Sequence, residues 1–232
     1  MTASQRVAVF GASGAIGGAI AEWFAARGDD VVAISRSGKG PASPNIRCVS
    51  WDGAGALPEI GAPVSAAVWA QGANCTDSIH TFDLEAHQAM YAANVTYIMT
   101  SLQALLARDL VAAGGRLCII SSIWQNIARQ NKLSYCVTKA ALQGLVQSLA
   151  IDLGASGYLV NAVLPGALDT PMTRANLSPE QIAKLEGMTP LGTLPALDDV
   201  THLVGYLCSP ANTGITGQFV SADKGFSRAR IL

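Results

Sequence analysis

Charge is scarce in this 232-residue chain: Asp, Glu, Lys and Arg make up 13% of it, and 15 basic residues nearly cancel 16 acidic ones. A nucleic-acid partner would need a basic footprint for counterion release, and no three basic residues stand in a row, so that class is excluded. Aromatics are also few, at 6%, although half the chain is hydrophobic. The apolar share is therefore mostly Ala, Val, Leu and Ile, which with 23 Gly reads as small side chains packed closely where helices lie on a sheet. Disorder and a disulfide scaffold are excluded by the same composition. The five cysteines, Cys48, Cys75, Cys118, Cys136 and Cys208, are odd in number and lack any Cys-x-x-Cys pair. They fit buried, reduced thiols in a cytosolic protein better than a zinc site or disulfides.

Residues 86–107 carry no Asp, Glu, Lys or Arg and would be long enough to span a bilayer. His87, Gln88, Asn94, Thr96, Thr100, Ser101 and Gln103 within them argue instead for a long helix covered by protein, and no membrane partner is expected. The uncharged run Val7 to Ala21 is no signal peptide either, because Gly11, Gly14, Gly17 and Gly18 would break its helix.

Apolar runs predict strands at Val7–Phe10, Asp30–Ile34, Ile46–Trp51, Val64–Ala70, Arg116–Ile120 and Leu159–Val163. Helical spacing is found at Ile16–Ala26, Leu84–Arg108, Ser134–Leu153 and Asp198–Cys208. Continuous rather than alternating apolar strands imply burial on both faces, hence a parallel sheet, and the strand–helix alternation predicts a doubly wound α/β fold in a single domain over residues 1–232. The stretch 167–195 is too long for a plain connection, holds one small helix after Ser178-Pro179, and is expected to be a substrate lid.

The turn Gly11-Ala12-Ser13-Gly14-Ala15-Ile16-Gly17 lies between the first strand and first helix, where free amides and the helix dipole make an anion site and a Cβ would block a pyrophosphate. At the end of the second strand, an acidic residue would read a free ribose 2'-hydroxyl. This chain has Ser35-Arg36-Ser37, which suits a 2'-phosphate, so NADP(H) is favoured over NAD(H). Asp52 either accepts from an adenine amino group or caps a turn.

Tyr135 and Lys139 stand one helical turn apart, and an ammonium close to a phenol lowers its pKa. Ser122 closes the preceding strand, so all three are expected to converge at the carboxyl ends of the sheet. With Asn94, Pro165-Gly166-x-x-x-Thr170 and Thr216-Gly217-Gln218 in order, the chain resembles the short-chain dehydrogenase/reductase family over nearly its whole length. The resemblance implies a Rossmann-type fold, a nicotinamide cofactor and a tetrad of Asn94, Ser122, Tyr135 and Lys139. In it Tyr135 exchanges a proton with a carbonyl or alcohol substrate held by Ser122, Lys139 holds the nicotinamide ribose, and Asn94 holds a relay water. Gly72, Pro165, Gly166 and Thr170 would be further cofactor contacts. Trp69-Ala70-Gln71-Gly72 stands where the family usually has Asn-Asn-Ala-Gly. That departure gives the alternative of a nucleotide-sensing or structural member without turnover.

The substrate pocket is expected to be mainly apolar, with Trp124 as a flat wall, Gln125 as a polar handle and Met172 to Met188 in the lid. His80, His87 and His202 fit no metal or triad pattern, and no metal is expected. Ser122 is outside any Gly-x-Ser-x-Gly, which argues against a serine hydrolase. The sparsely charged long helices predict a homodimer or homotetramer.

Overall fold

The computed structural model describes residues 4–229. Seven strands run parallel in the order β3-β2-β1-β4-β5-β6-β7: β1 (Arg6–Phe10), β2 (Asp30–Ser35), β3 (Ile46–Ser50), β4 (Val64–Trp69), β5 (Val111–Ile120), β6 (Leu159–Pro165) and β7 (Phe219–Ala222). The helices are α1 (Ala15–Ala26), α2 (Leu84–Tyr91), α3 (Tyr97–Ala107), α4 (Leu133–Gly154), α5 (Pro171–Asn176), α6 (Pro179–Gly187) and α7 (Leu197–Leu207). The strand order reverses between β1 and β4, which opens a crevice at their carboxyl ends.

Strand alternation sorts the core into two layers. Phe10, Ile34, Trp69, Leu117 and Leu164 point to one face, where Ile98, Leu102 and Leu105 of α3 and Leu142 and Val146 of α4 cover them. Val9, Ala33, Val68, Cys118 and Val163 point to the other and meet Ile20 and Phe24 of α1 and Val200, Val204 and Leu207 of α7. Both faces are thus covered, as the continuous apolar runs imply.

Four details differ from the sequence expectation. The edge strand β3 is largely exposed, because only β2 pairs with it and no helix connects the two. Strand β5 begins at Val111 and pairs irregularly with β4 before Arg116. A seventh strand follows Gln218, extending the sheet beyond β6. The stretch 167–195 holds two helices instead of one, each with Pro in its first turn and a side chain capping its start, Thr170 for α5 and Ser178 for α6. Leu168 and Leu194 near its two ends are buried, while Met188 and Leu191 are exposed; the side chain of Met172 lies outside the described residues.

Candidate active site

The first glycine turn is shaped by backbone contact. Gly11 has φ +81°, and a Cβ there would lie 2.4 Å from the Gln71 amide nitrogen. A Cβ on Gly17 would lie 2.3 Å from the Gly11 carbonyl oxygen. The turn therefore folds against both α1 and the segment leaving β4, and leaves its outer side open.

That open side is a cleft of about 670 Å3 in which Gly11, Ser13 and Gly14 face Ser35, Arg36 and Asp52, with Gln71 and Gly72 along the wall. A second cavity, about 440 Å3, shares Ser13 and Gly14 and adds Ala15, Ser37 and Lys39. Arg36 and Ser13 are exposed, whereas Ile16 and Gly17 sit further along, inside the first turn of α1. The Ser35 hydroxyl donates to the Lys39 carbonyl at 2.7 Å and is buried, which corrects the expectation that it is a spare donor for a phosphate. Asp52 does cap a turn, accepting from the Ala54 amide at 2.9 Å, and it also lines the cleft. The cradle fits a dinucleotide: glycines without Cβ leave room for a pyrophosphate at the start of a helix, and a cation stands at the end of β2.

Trp69 accounts for part of the altered tetrapeptide. Its ring stacks on Phe10 with centroids 5.5 Å apart, and its Nε1 donates to the buried Ser101 Oγ at 2.8 Å. The side chain therefore ties β4 to α3 from within the core.

Past Gly72 the site changes from backbone to side chains. A Cβ on Gly72 would meet Asn94 Oδ1 at 3.2 Å and Lys139 Nζ at 3.8 Å, so this glycine keeps the two groups close. Asn94 sits in a π-helical turn, Ala92–Thr96, set between α2 and α3, a kind of local widening that often marks functional sites. Its side chain makes three bonds: Oδ1 accepts from the Ala73 amide at 2.6 Å, while Nδ2 donates to the Ala73 carbonyl at 3.0 Å and to Thr138 Oγ1 at 2.9 Å. Thr138 in turn donates to the Tyr135 carbonyl at 3.0 Å. Asn94 thus fastens the loop after β4 to the helix that carries Tyr135.

Ser122 ends the segment after β5 and caps a short turn by accepting from the Trp124 amide at 3.3 Å. The Tyr135 phenol, on the first turn of α4, is near enough for the Ser122 hydroxyl to favour its ionised form. Lys139, one turn on, is almost wholly buried, with Nζ 5.7 Å from the Tyr135 ring centroid and donating to the Ile120 carbonyl at 3.1 Å. None of the ion pairs among the described residues includes it. Burial accordingly lowers its pKa from 10.5 to about 8.

The electrostatics of the tyrosine differ from the expectation. Burial raises the Tyr135 pKa above its ordinary 10.0, the Ser122 hydrogen bond works against that rise, and Cys136 adds to it. Lys139 is not among the groups that shift this phenol, and desolvation, the largest cause, penalises the phenolate directly. Tyr135 is therefore protonated through neutral pH.

Pro165, Gly166 and Thr170 form a neighbouring group beyond β6. Gly166 packs under Asp223, where a Cβ would lie 3.0 Å from the Asp223 Cβ, and Thr170 caps α5 by accepting from the Thr173 amide at 3.2 Å. Gln125, expected to face a substrate, is turned inward and accepts from Ser121 Oγ at 2.8 Å; Trp124 packs edge-on against Phe226. Behind Tyr135, Asp77 accepts from the Ser134 amide at 3.1 Å, and His87 Nδ1 lies 2.8 Å from Ser134 Oγ. Sequence reasoning missed Thr138, Asp77 and His87. The only sequence signal for Thr138 is its place one residue before Lys139 on α4.

Comparison with known proteins identifies the family. A family profile described as enoyl-(acyl carrier protein) reductase matches residues 59–227. The chain belongs to the short-chain dehydrogenase/reductase family. It is 28% identical over 240 residues to an uncharacterized oxidoreductase of Bacillus subtilis, YmfI, covering 96% of this chain and 99% of that protein. It is 29% identical over 149 residues to a cis-4-hydroxycyclohexanecarboxylate dehydrogenase of Sinomonas cyclohexanicum, a match spanning 64% of this chain and 59% of the relative's length. A crystal structure of a short-chain dehydrogenase family protein from Francisella tularensis superposes with a TM-score of 0.87 at 22% identity, covering 98% of this chain and all of the other. That likeness is one of fold.

Proposed function

We propose that this protein is an NADP(H)-dependent oxidoreductase that interconverts a carbonyl compound and its alcohol, with Tyr135 as the proton-exchanging group. The observation that carries this is the convergence of Ser122, Tyr135 and Lys139: Ser122 is near enough to favour the tyrosine's ionised form, and the buried Lys139 Nζ lies 5.7 Å from the tyrosine ring. When bound, the nicotinamide gives or takes the hydride.

Ser122 holds the substrate oxygen beside the phenol. Tyr135 donates its proton as negative charge develops on that oxygen, and recovers it in the oxidative direction. Lys139 holds ribose hydroxyls and steadies the phenolate that the transfer leaves. Asn94 braces both through Thr138 and Ala73 and would help hold a relay water. Gly11, Ser13, Gly14, Ala15, Ile16 and Gly17 form the pyrophosphate cradle, Arg36 pairs with the 2'-phosphate, and Ser35 and Asp52 shape the adenosine end. Gly72, Pro165, Gly166 and Thr170 border the nicotinamide end.

Residues 167–195 serve as a lid over a medium-sized, mainly apolar substrate, with the exposed Met188 and Leu191 as its free apolar groups. Met99 of α3 and Val137 and Ile151 of α4 are exposed apolar residues on the long helices, which suits a homodimer or homotetramer. The five thiols are free, although only Cys118 and Cys208 are buried and Cys48 is exposed, against the expectation that all are buried; free thiols suit a reducing compartment such as the cytoplasm. Among the described residues no helix is long and apolar enough to cross a membrane.

Fluorescence titration with NADPH and NADH, followed by a ketone screen for NADPH oxidation, tests this. Turnover is expected, and Arg36→Ala should weaken NADPH about tenfold while sparing NADH. Preference for NADH unaffected by Arg36→Ala would overturn the cofactor assignment. Tight binding without turnover on any substrate would favour the nucleotide-sensing alternative.

A further inference from the structure

Gln71 sits on the segment leaving β4, and both polar atoms of its carboxamide, Nε2 and Oε1, are shielded from water with no hydrogen-bond partner in the protein. The other such atoms among the described residues are the Nε of Arg6 and of Arg116, on guanidinium groups whose remaining nitrogens are bonded. Gln71 is therefore the one described side chain that buries its entire hydrogen-bonding capacity unused. A buried amide without a partner bears the full penalty of lost hydration, so this position calls for a partner from outside the chain.

Its surroundings define that partner. The backbone of Gln71 lies against Gly11, the first glycine of the anion-binding turn. Gln71 lines the same cleft as Ser13 and Gly14 on one side and Ser35, Arg36 and Asp52 on the other. With a pyrophosphate at the glycine turn and a 2'-phosphate at Arg36, the group that must lie between them is the adenosine ribose. A ribose hydroxyl both donates and accepts, as does a carboxamide.

We infer that Gln71 is a nucleotide-binding residue whose carboxamide hydrogen-bonds the adenosine ribose, at the 3'-hydroxyl when the 2' position is phosphorylated. The inference rests on the nucleotide-binding reading above. The residue as a whole is only half-buried, and its end group reaches the ligand by a change of rotamer that breaks no bond within the protein. The carboxamide supplies from a side chain what the surrounding glycine-rich wall supplies only from backbone.

The test is calorimetric titration of wild type and Gln71→Ala with NADPH, adenosine 2',5'-bisphosphate and nicotinamide mononucleotide, alongside thermal unfolding without ligand. The variant should bind NADPH and adenosine 2',5'-bisphosphate about tenfold more weakly. It should bind the mononucleotide as wild type does, with an unliganded unfolding midpoint unchanged or raised because an unpaired amide is gone. Equal affinity of wild type and variant for NADPH and the bisphosphate overturns this inference alone. Failure of wild type to bind NADPH at all overturns the nucleotide reading and this inference with it.

Discussion

The two ends of the crevice are built from different materials. At the β1–β2 end the walls are main chain: Gly11 at φ +81°, the Gly17 contact with the Gly11 carbonyl, and exposed side chains such as Ser13, Arg36 and Asp52 that make few bonds. At the β4–β5 end the working parts are buried side chains, Asn94, Ser122, Thr138 and Lys139, each held by a named partner. A main-chain site is set by allowed backbone conformations and fails when a Cβ intrudes. A side-chain site is set by mutual bonds and fails when one partner is removed.

The largest contrast is expected from Tyr135→Phe, which should lower kcat about 10²- to 10⁴-fold while NADPH affinity by titration stays near wild type. Comparable loss of both would mean the two ends are not separable.

Lys139→Met probes the buried cation without ligand. Its folded pKa of about 8 lies below the ordinary 10.5, so between those values the folded state binds fewer protons than the unfolded one. Stability of the wild type should therefore rise with pH across that window, by up to ~3 kcal/mol, and the penalty should be fully present below about pH 8. Denaturant melts of Lys139→Met should lack this rise. A wild-type curve that is flat or falls over the window would show that the ammonium is better solvated than its surroundings indicate.

Gly17→Ala tests the main-chain end. The added methyl meets backbone that cannot rotate aside, which should destabilise by about 1–3 kcal/mol and loosen nucleotide binding together. Unfolding and titration at unchanged levels would remove the distinction drawn between the two ends. The smallest effect is expected from Thr138→Val, which leaves one Asn94 amide proton unpaired. A loss of about 1 kcal/mol by denaturation should come with a lower kcat and little change in NADPH affinity.

The main-chain end was largely legible in the sequence, because glycines between an apolar strand and a helix leave few other geometries. Tyr135, Lys139 and Ser122 were legible through their spacing and place at strand and helix ends. What escaped depended on contacts between distant segments. Gln125 turns inward where the Ser121 hydroxyl donates to its Oε1 inside the fold, and Ser35 is consumed by a carbonyl four residues on. Trp69 stands where the family usually has Asn, and its place becomes clear only in the fold, where its indole finds Ser101 thirty-two residues away on α3.

Local order in the chain thus determined the parallel sheet, the glycine turn and the identity of the chemical groups, since strand periodicity, Cβ exclusion and helical spacing act over a few residues. Only the tertiary structure decided the state of those groups. Burial raises the phenol and lowers the ammonium against the simple pair expectation, and the fold buries the Gln71 carboxamide without a partner among the described residues. Desolvation and hydrogen-bond satisfaction are sums over everything that surrounds an atom, and most of what surrounds it comes from elsewhere in the chain.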